Sequence, residues 1–386
     1  MKLLLFSDLH LGAGADLGRN PGDRLEDQVS VGKRIVEIAH EHECSLILNG
    51  GDTFEGPTVQ PEEYDAYQRI FGPCELPIFS VRGNGKHDAS KRLVSAPAVV
   101  AGSRYFTHPE VAFWRDIALA FLPSQSVSHL VAARNGGERA DINREASALL
   151  IDIARGLKQD CEKLVPGAPH ILLGHWPVEG AVTATGIEAL TFAEPILPVD
   201  DLEAMEWAAV FCGHVHKPQE LGCCNTIIPG SPLPLNFGEP GDHGCWIFDA
   251  DTGEAEFVPI ESRPLVELDW DHGFDPAVYH EILAGDFSTQ DKVPGAILKV
   301  RYRATAADEK IDHRKLTEAL YAAGAHNVWR IEAQVERETR ARVEAVREDL
   351  DELAALDLWI EAQSIPAEMA ERMRERTRAY LEGGAA

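Results

Sequence analysis

Basic residues are scarce in this chain of 386 residues: 36 Lys and Arg stand against 63 Asp and Glu, a formal net charge of −27. That balance excludes a nucleic-acid coat and a polybasic membrane binder, so an anionic substrate must be met by local cations, metal ions or a partner protein. Long hydrophobic runs are missing too. No stretch approaches the roughly 20 apolar residues of a membrane-spanning helix, so no membrane association is expected. The opening "MKLLLFSDLH" has too short an apolar run for a secretory signal, and Asp8 and His10 interrupt it before any small-residue cleavage site. The seven cysteines are odd in number and scattered, with Cys223-Cys224 adjacent and no C-x-x-C pair. A disulfide framework or a structural zinc site is therefore not expected, and reduced thiols in a cytoplasmic protein are.

What is present is a 45% hydrophobic content, enough to build one large domain and a smaller one. Short apolar runs, "KLLLFS", "SLILN", "PIFSV", "HILLG" and "AAVFC", read as buried strands. Between the first two, Leu25, Val29, Gly32, Val36 and Ala39 recur at helical spacing. This alternation predicts an α/β domain on largely buried sheets over residues 1–260. Near its end "DADTGE" is a hairpin turn between short strands. A small α+β domain is expected at 261–338, where "GAILKVRYRA" alternates like a strand and "DHRKLTEALYAAGAHNVWRIEAQV" reads as helix, Gly stop and strand. Residues 339–386 form a charged helical tail, with Val343, Val346, Leu350 and Leu353 on one stripe and Met369, Met373 and Tyr380 on another face. Ser364 and Pro366 suit the second helix's start and Gly383-Gly384 its stop. The tail either packs on its own domain or docks a partner.

The ends of the apolar runs carry the chemistry. They are followed in order by Asp8-Leu9-His10, Gly50-Gly51-Asp52, Arg82-Gly83-Asn84, Gly174-His175 and Gly213-His214-Val215-His216. Ligands of open α/β sheets bind beyond the carboxyl ends of strands, so these five ends can face one crevice. Taken singly each is weak: aspartate is common at strand ends, His10 could be a turn residue and His175 a structural one. G-H-x-H is more specific, because alternate residues of an extended segment point to one side. Five in order, each just after a strand, read as one metal centre. Carboxylate, imidazole and amide oxygen without thiolate suit Mn²⁺, with Mg²⁺, Fe²⁺ or Zn²⁺ possible.

These residues resemble the calcineurin-like metallophosphoesterase superfamily, which implies a four-layer α/β/β/α sandwich holding two metals. The resemblance implies one metal on Asp8, His10 and His216, the other on Asn84, His175 and His214, and Asp52 bridging both. Two cations about 3.5–4 Å apart share and acidify a water. The third family motif, G-N-H-D, reads here Gly83-Asn84-Gly85-Lys86-His87-Asp88, two residues longer. Asn84 stands where a ligand is needed, His87 is the expected general acid or transition-state stabiliser, and Asp88 is expected to orient it. Lys86 either faces the phosphate or is a solvated surface lysine.

The segment "IIPGSPLPLNFGE" at 227–239, with "SDLHLG" and "GDTFE", resembles the SbcD-type (MRE-type) nuclease subunits of DNA double-strand-break repair and recombination complexes. A "RPL" segment opening the small domain and the charged tail fit that family's domain order. The resemblance implies a Mn²⁺-dependent 3′→5′ exonuclease on duplex ends and an endonuclease on single strands and hairpins. It also implies a homodimer bound through its C-terminal helices to an SbcC-like, SMC-type coiled-coil ATPase, with the small domain positioning DNA. Duplex binding needs cations on phosphates; Arg19, Arg24, Lys86, Lys91 and Arg92 are the expected local patch. Two alternatives stand beside this reading: a phosphoesterase for a small nucleotide or protein phosphate, and a catalytically weakened metal-binding module for DNA ends.

Overall fold

The computed structural model describes residues 1–88, 102–127, 139–188, 194–222, 225–270, 276–285, 293–305, 311–336, 350–363 and 365–381. Lys91, Arg92, Cys223-Cys224, Val343, Val346, Ser364 and Gly383-Gly384 lie outside them. Contacts divide the chain into two units. One comprises Met1–Leu268, Ala277–Val300 and Asp312–Ile331; the other comprises Asp269–Pro276, Arg301–Ile311 and Glu332–Ala386.

The strands, in chain order, are β1 Lys2–Phe6, β2 Leu46–Asn49, β3 Ile78–Val81, β4 Arg104–Phe106, β5 Glu110–Trp114, β6 Ile117–Leu122, β7 His170–His175, β8 Ala209–Gly213, β9 Gln219–Leu221, β10 Thr226–Ile228, β11 Gly244–Asp249, β12 Glu254–Pro259, β13 Leu265–Trp270, β14 Ile297–Thr305 and β15 Asn327–Glu336. They form a sheet ordered β12-β11-β1-β2-β3-β4, a second ordered β5-β6-β7-β8-β10-β9, and a small sheet β13-β14-β15. β1, β2 and β3 run parallel in the first sheet, as do β6, β7 and β8 in the second. Parallel neighbours put successive carboxyl ends on one side.

Side-chain alternation explains the layering. Leu4 and Phe6 pack in a core with helix α1 (Asp23–Glu41) and helix α2 (Pro61–Phe71), while Leu3 and Leu5 join a core shared with Leu119, Phe121, Leu173 and Phe211 of the second sheet. A strand buried on both faces needs apolar residues at consecutive positions, which is why these runs do not alternate with polar residues. The outer face of the second sheet, with Leu172, Val210 and Cys212, packs on helix α3 (Arg139–Leu164) through Leu150, Ala154 and Leu157. The order helix, sheet, sheet, helix is the expected α/β/β/α sandwich. Each fully buried Leu or Phe contributes roughly 1.5–3 kcal/mol, so the inter-sheet core is a rigid floor for what projects from its strand ends.

The α1 pattern packs as its spacing requires. Gly32 lies against Ile70 of α2, where an added Cβ would stand 2.7 Å from Ile70 Cδ1. "DADTGE" is the β11–β12 turn, and the Gly stop at Gly324 (φ +92°) follows helix α6 (His313–Ala322), after the helix α4 Val199–Ala204 and α5 Pro276–Leu283. In the second unit, α7 (Glu352–Ala362) starts at Asp351, whose carboxylate accepts from the Ala354 amide at 2.7 Å. It is followed by α8 (Ala367–Leu381), on which Met369, Tyr380 and Leu381 are exposed. No described helix is long and apolar enough to cross a membrane.

Candidate metal centre

The loops after β1, β2, β3, β7 and β8 converge. The Asp8 amide donates to Gly51 O at 2.9 Å and the His10 amide to Asp52 O at 3.0 Å, joining the first two loops. The Asn84 amide donates to Asp52 Oδ1 at 2.6 Å, adding the third. Across the sandwich, the His214 amide donates to the Asp8 carboxylate at 3.1 Å, and His175 Nδ1 donates to Gly50 O at 2.7 Å. Approach this close requires glycine: a Cβ on Gly83 would overlap the Asp52 carboxylate, and one on Gly213 would overlap Ser7 Oγ. Backbone strain gathers at the same place, with φ of +55° at Asp8, +46° at His10, +49° at Asp52 and +99° at His214. Non-glycine residues hold such conformations when surrounding structure over-determines them, typically where function demands it.

Three imidazoles are aimed by bonds to Nδ1. Glu55 Oε2 lies 2.8 Å from His10 Nδ1 and Glu239 Oε1 lies 2.9 Å from His216 Nδ1, while Gly50 O serves His175. Each leaves Nε2 for the interior. His10 Nε2 is 3.9 Å from Asp8 Oδ1 and 3.8 Å from Asp52 Oδ2; His216 Nε2 is 3.8 Å from Asp8 Oδ1; His175 Nε2 is 3.2 Å from Asp52 Oδ2. Donors each about 2.1 Å from one ion stand about 3.0–4.2 Å apart, depending on their angle, so these separations fit shared cations. His10 Nε2 and His175 Nε2 are buried without a hydrogen-bond partner. Buried polar atoms are rarely left so, and a cation would satisfy both. Three clusters of possible ligands occur among the described residues, Asp8–His10–His216, Asp8–Asp52–His175 and His10–Glu55–His87, and the first two, which share Asp8, fit a dimetal site.

The protonation pattern asks for positive charge. Burial works to raise Asp52, but the facing His175 outweighs it and holds the carboxyl well below its usual range. Burial works to lower His175, and the Asp52 charge raises it instead. His216 is likewise raised to about 9, burial opposing and the Glu239 bond prevailing. Without a cation, imidazolium supplies the charge these carboxylates demand.

Asn84 and His214 line a cleft of about 320 Å³ with His10, Asp52, His87 and His216. Asn84 Oδ1 accepts from the Lys86 amide at 3.1 Å, and His214 Nε2 lies 3.2 Å from Glu194 Oε2. The lengthened turn closes on itself: the amides of His87 and Asp88 both donate to Asn84 O at 2.9 Å. Gly85 and Lys86 bulge to solvent while His87 returns to the cleft, its ring 4.7 Å from that of His10. Asp88 does not orient His87. Its carboxylate is spent on the amides of Thr53 (3.0 Å), Phe54 (3.3 Å) and Gly83 (2.9 Å), stapling the second loop to the third. Burial and the Asp52 charge push it up to about 6. His87 is oriented instead by Glu55 O, 2.7 Å from its Nδ1.

Among the expected surface cations, Arg19 is exposed, 4.3 Å over the Tyr321 ring, and Lys86 is exposed. Arg24 is a correction: it is 1% exposed and donates to Pro234 O and Asp27, so it braces a loop and has no face for a duplex. Glu55 and Glu239 were missed by sequence reasoning, although they close the "GDTFE" and "IIPGSPLPLNFGE" segments. Nothing in the sequence signals Glu194.

The chain is 22% identical over 333 residues to a "Probable exonuclease subunit 1" of Escherichia phage T5, covering 83% of this chain and 87% of that one. It is 24% identical over 300 residues to an SbcCD nuclease subunit of Rhodobacter capsulatus, covering 69% and 71%. A solved dimetal phosphatase from Danio rerio shares 11% identity over 64% of this chain and 91% of that one, with a TM-score of 0.42. The model of the calcineurin-like phosphoesterase family matches residues 1–218, the span that contains Asp8, His10, Asp52, Asn84, His175, His214 and His216. By that match over more than half its length, the chain belongs to the calcineurin-like phosphoesterase family.

Proposed function

We propose that the chain hydrolyses DNA phosphodiesters as the nuclease subunit of an SbcCD-like complex, using two divalent cations. The observation that carries this is the convergence of Asp8, His10, Asp52, His175 and His216, with the buried Nε2 atoms of His10 and His175 facing carboxylates and making no hydrogen bond. The nuclease reading draws its support from the two relatives, whose likeness extends past residue 218. Asp8, His10 and His216 would hold one cation, Asn84, His175 and His214 the other, with Asp52 between them. Mn²⁺ suits the donor set, as Mg²⁺, Fe²⁺ and Zn²⁺ do less specifically. When bound, such a pair supplies an acidified water and neutralises charge building on phosphate oxygens.

The geometry supports a proposed contribution of the protein's own residues. The Glu55 carbonyl accepts the proton of His87 Nδ1, which directs Nε2 of a half-buried imidazole into the cleft, within reach of a leaving oxygen that needs a proton. The Asp88 staple keeps that turn in register with Asp52. Arg19 and Lys86 are the described cations proposed to meet DNA phosphates, and the exposed apolar residues of α8 are proposed to dock the coiled-coil ATPase. Residues 261–338 are proposed to position the duplex, and a homodimer is the proposed assembly. The test is Mn²⁺-dependent digestion of end-labelled duplex and hairpin DNA by the purified chain. Asp52→Ala and His216→Ala should abolish cleavage, and His87→Gln should slow it roughly 10²–10⁴-fold with metal retained. Turnover of a small phosphate monoester with no cleavage of either DNA would overturn the nuclease reading.

A further inference from the structure

The loop at 234–239 reaches the metal centre from one side and a distant part of the chain from the other. At the near end, Glu239 is its hub: Oε1 accepts from Asn236 Nδ2 at 2.7 Å and stands 2.9 Å from His216 Nδ1, while Oε2 accepts from the Leu235 amide at 2.8 Å. Leu235 and Asn236 also line the cleft of about 320 Å³. The orientation of His216 therefore depends on the loop's shape. At the far end, Phe237 stacks on Trp329 of β15, with ring centroids 5.3 Å apart and planes at 22°. Trp329 is itself fixed: its indole N–H donates to Asp16 Oδ2 at 3.1 Å, and two residues earlier Asn327 Nδ2 donates to Leu17 O at 2.8 Å. The 14–18 loop that receives those bonds touches the same segment, since an added Cβ on Gly14 would stand 3.4 Å from Leu235 O.

We infer that Trp329 is a positioning residue for the metal centre, acting through Phe237 and Glu239 on His216. The inference rests on the dimetal reading of the site and adds that Trp329 of β15, more than a hundred residues further along the chain than His216, helps to build it. The loop's internal bonds to Glu239 and Asn236 set its shape, and the aromatic stack supplies the second wall that holds that shape against the site. Arg24, on Pro234 O, supplies the first.

The test is calorimetric titration of the metal-free full chain with Mn²⁺, beside a thermal melt. Losing a residue that directly orients a metal ligand typically weakens metal binding 10–100-fold. One step further out, Trp329→Ala should weaken Mn²⁺ binding at the site that includes His216 by roughly threefold to tenfold. Trp329→Phe, which keeps a ring on Phe237 and drops only the bond to Asp16, should stay within about twofold of the parent. Phe237→Ala should reproduce the Trp329→Ala loss and carries the test if that variant does not fold. The double variant should be no worse than either single one, as expected for two residues of one path. Parental Mn²⁺ affinity in Trp329→Ala and Phe237→Ala, even with a lowered melting temperature, would reduce the stack to ordinary packing and overturn the inference. A parent chain that binds no Mn²⁺ would instead refute the dimetal reading beneath it.

Discussion

Loading the centre with metal should expel protons, and affinity should climb steeply with pH. The perturbation is a change from pH 6.5 to pH 8.5 during Mn²⁺ titration of the metal-free protein. His216 has its pKa raised to about 9 from the ordinary 6.5, because the Glu239 carboxylate and Asp8 outweigh the burial that would lower it. At both pH values it is therefore mostly protonated, and Mn²⁺ must displace a proton from the nitrogen it binds. Each pH unit below the pKa then costs a factor of ten, about 1.4 kcal/mol, so the two units should change affinity by roughly a hundredfold for this imidazole alone. His175, raised by Asp52, adds in the same direction. The metal-free fold should respond with the opposite sign. A histidine whose folded pKa lies above its unfolded value stabilises fully below 6.5, and that contribution is lost as pH climbs towards 9. The apo protein should thus be less stable at pH 8.5 than at pH 6.5, by on the order of 2 kcal/mol from His216, and melt at a lower temperature. Titrations in two buffers of different ionisation enthalpy count the protons directly. No proton release near pH 7, with an affinity flat across the range, would refute this reasoning.

Glu55→Ala should weaken Mn²⁺ binding roughly 10–100-fold by freeing His10, whereas Glu55→Gln, whose amide oxygen can still accept from Nδ1–H, should stay close to the parent in the same titration. Gly83→Ala should be destabilising by roughly 1–3 kcal/mol or more, because the new methyl overlaps the Asp52 carboxylate; a denaturant melt with the Mn²⁺ count checks both consequences.

The sandwich was legible because its strands are buried on both faces, which forces continuous runs such as Leu3–Phe6 that polar residues cannot interrupt. The candidate ligands were legible for a related reason. Asp52 and His214 sit at strand ends beside Gly51 and Gly213, glycines that the crossing backbones require, so motif and geometry share one cause. Arg24 was misread because nothing local distinguishes a basic residue that solvates a helix from one that clamps a carbonyl 210 positions away. Asp88 follows His87 in sequence, yet two of its three partners, Thr53 and Phe54, come from the loop after β2, a pairing that the close approach of Gly83 and Asp52 allows. Glu55 and Glu239 stand at the ends of recognisable motifs, but an acidic residue there carries no sign of which imidazole it will meet.

Anomalous scattering from crystals of the full chain grown with Mn²⁺ puts the central claim to its most direct test. Two peaks about 3.5–4 Å apart are expected, one against Asp8, His10 and His216 and one against His175, with the Asp52 carboxylate between them. A single peak, or none within reach of His10 Nε2 and His175 Nε2, would contradict the account.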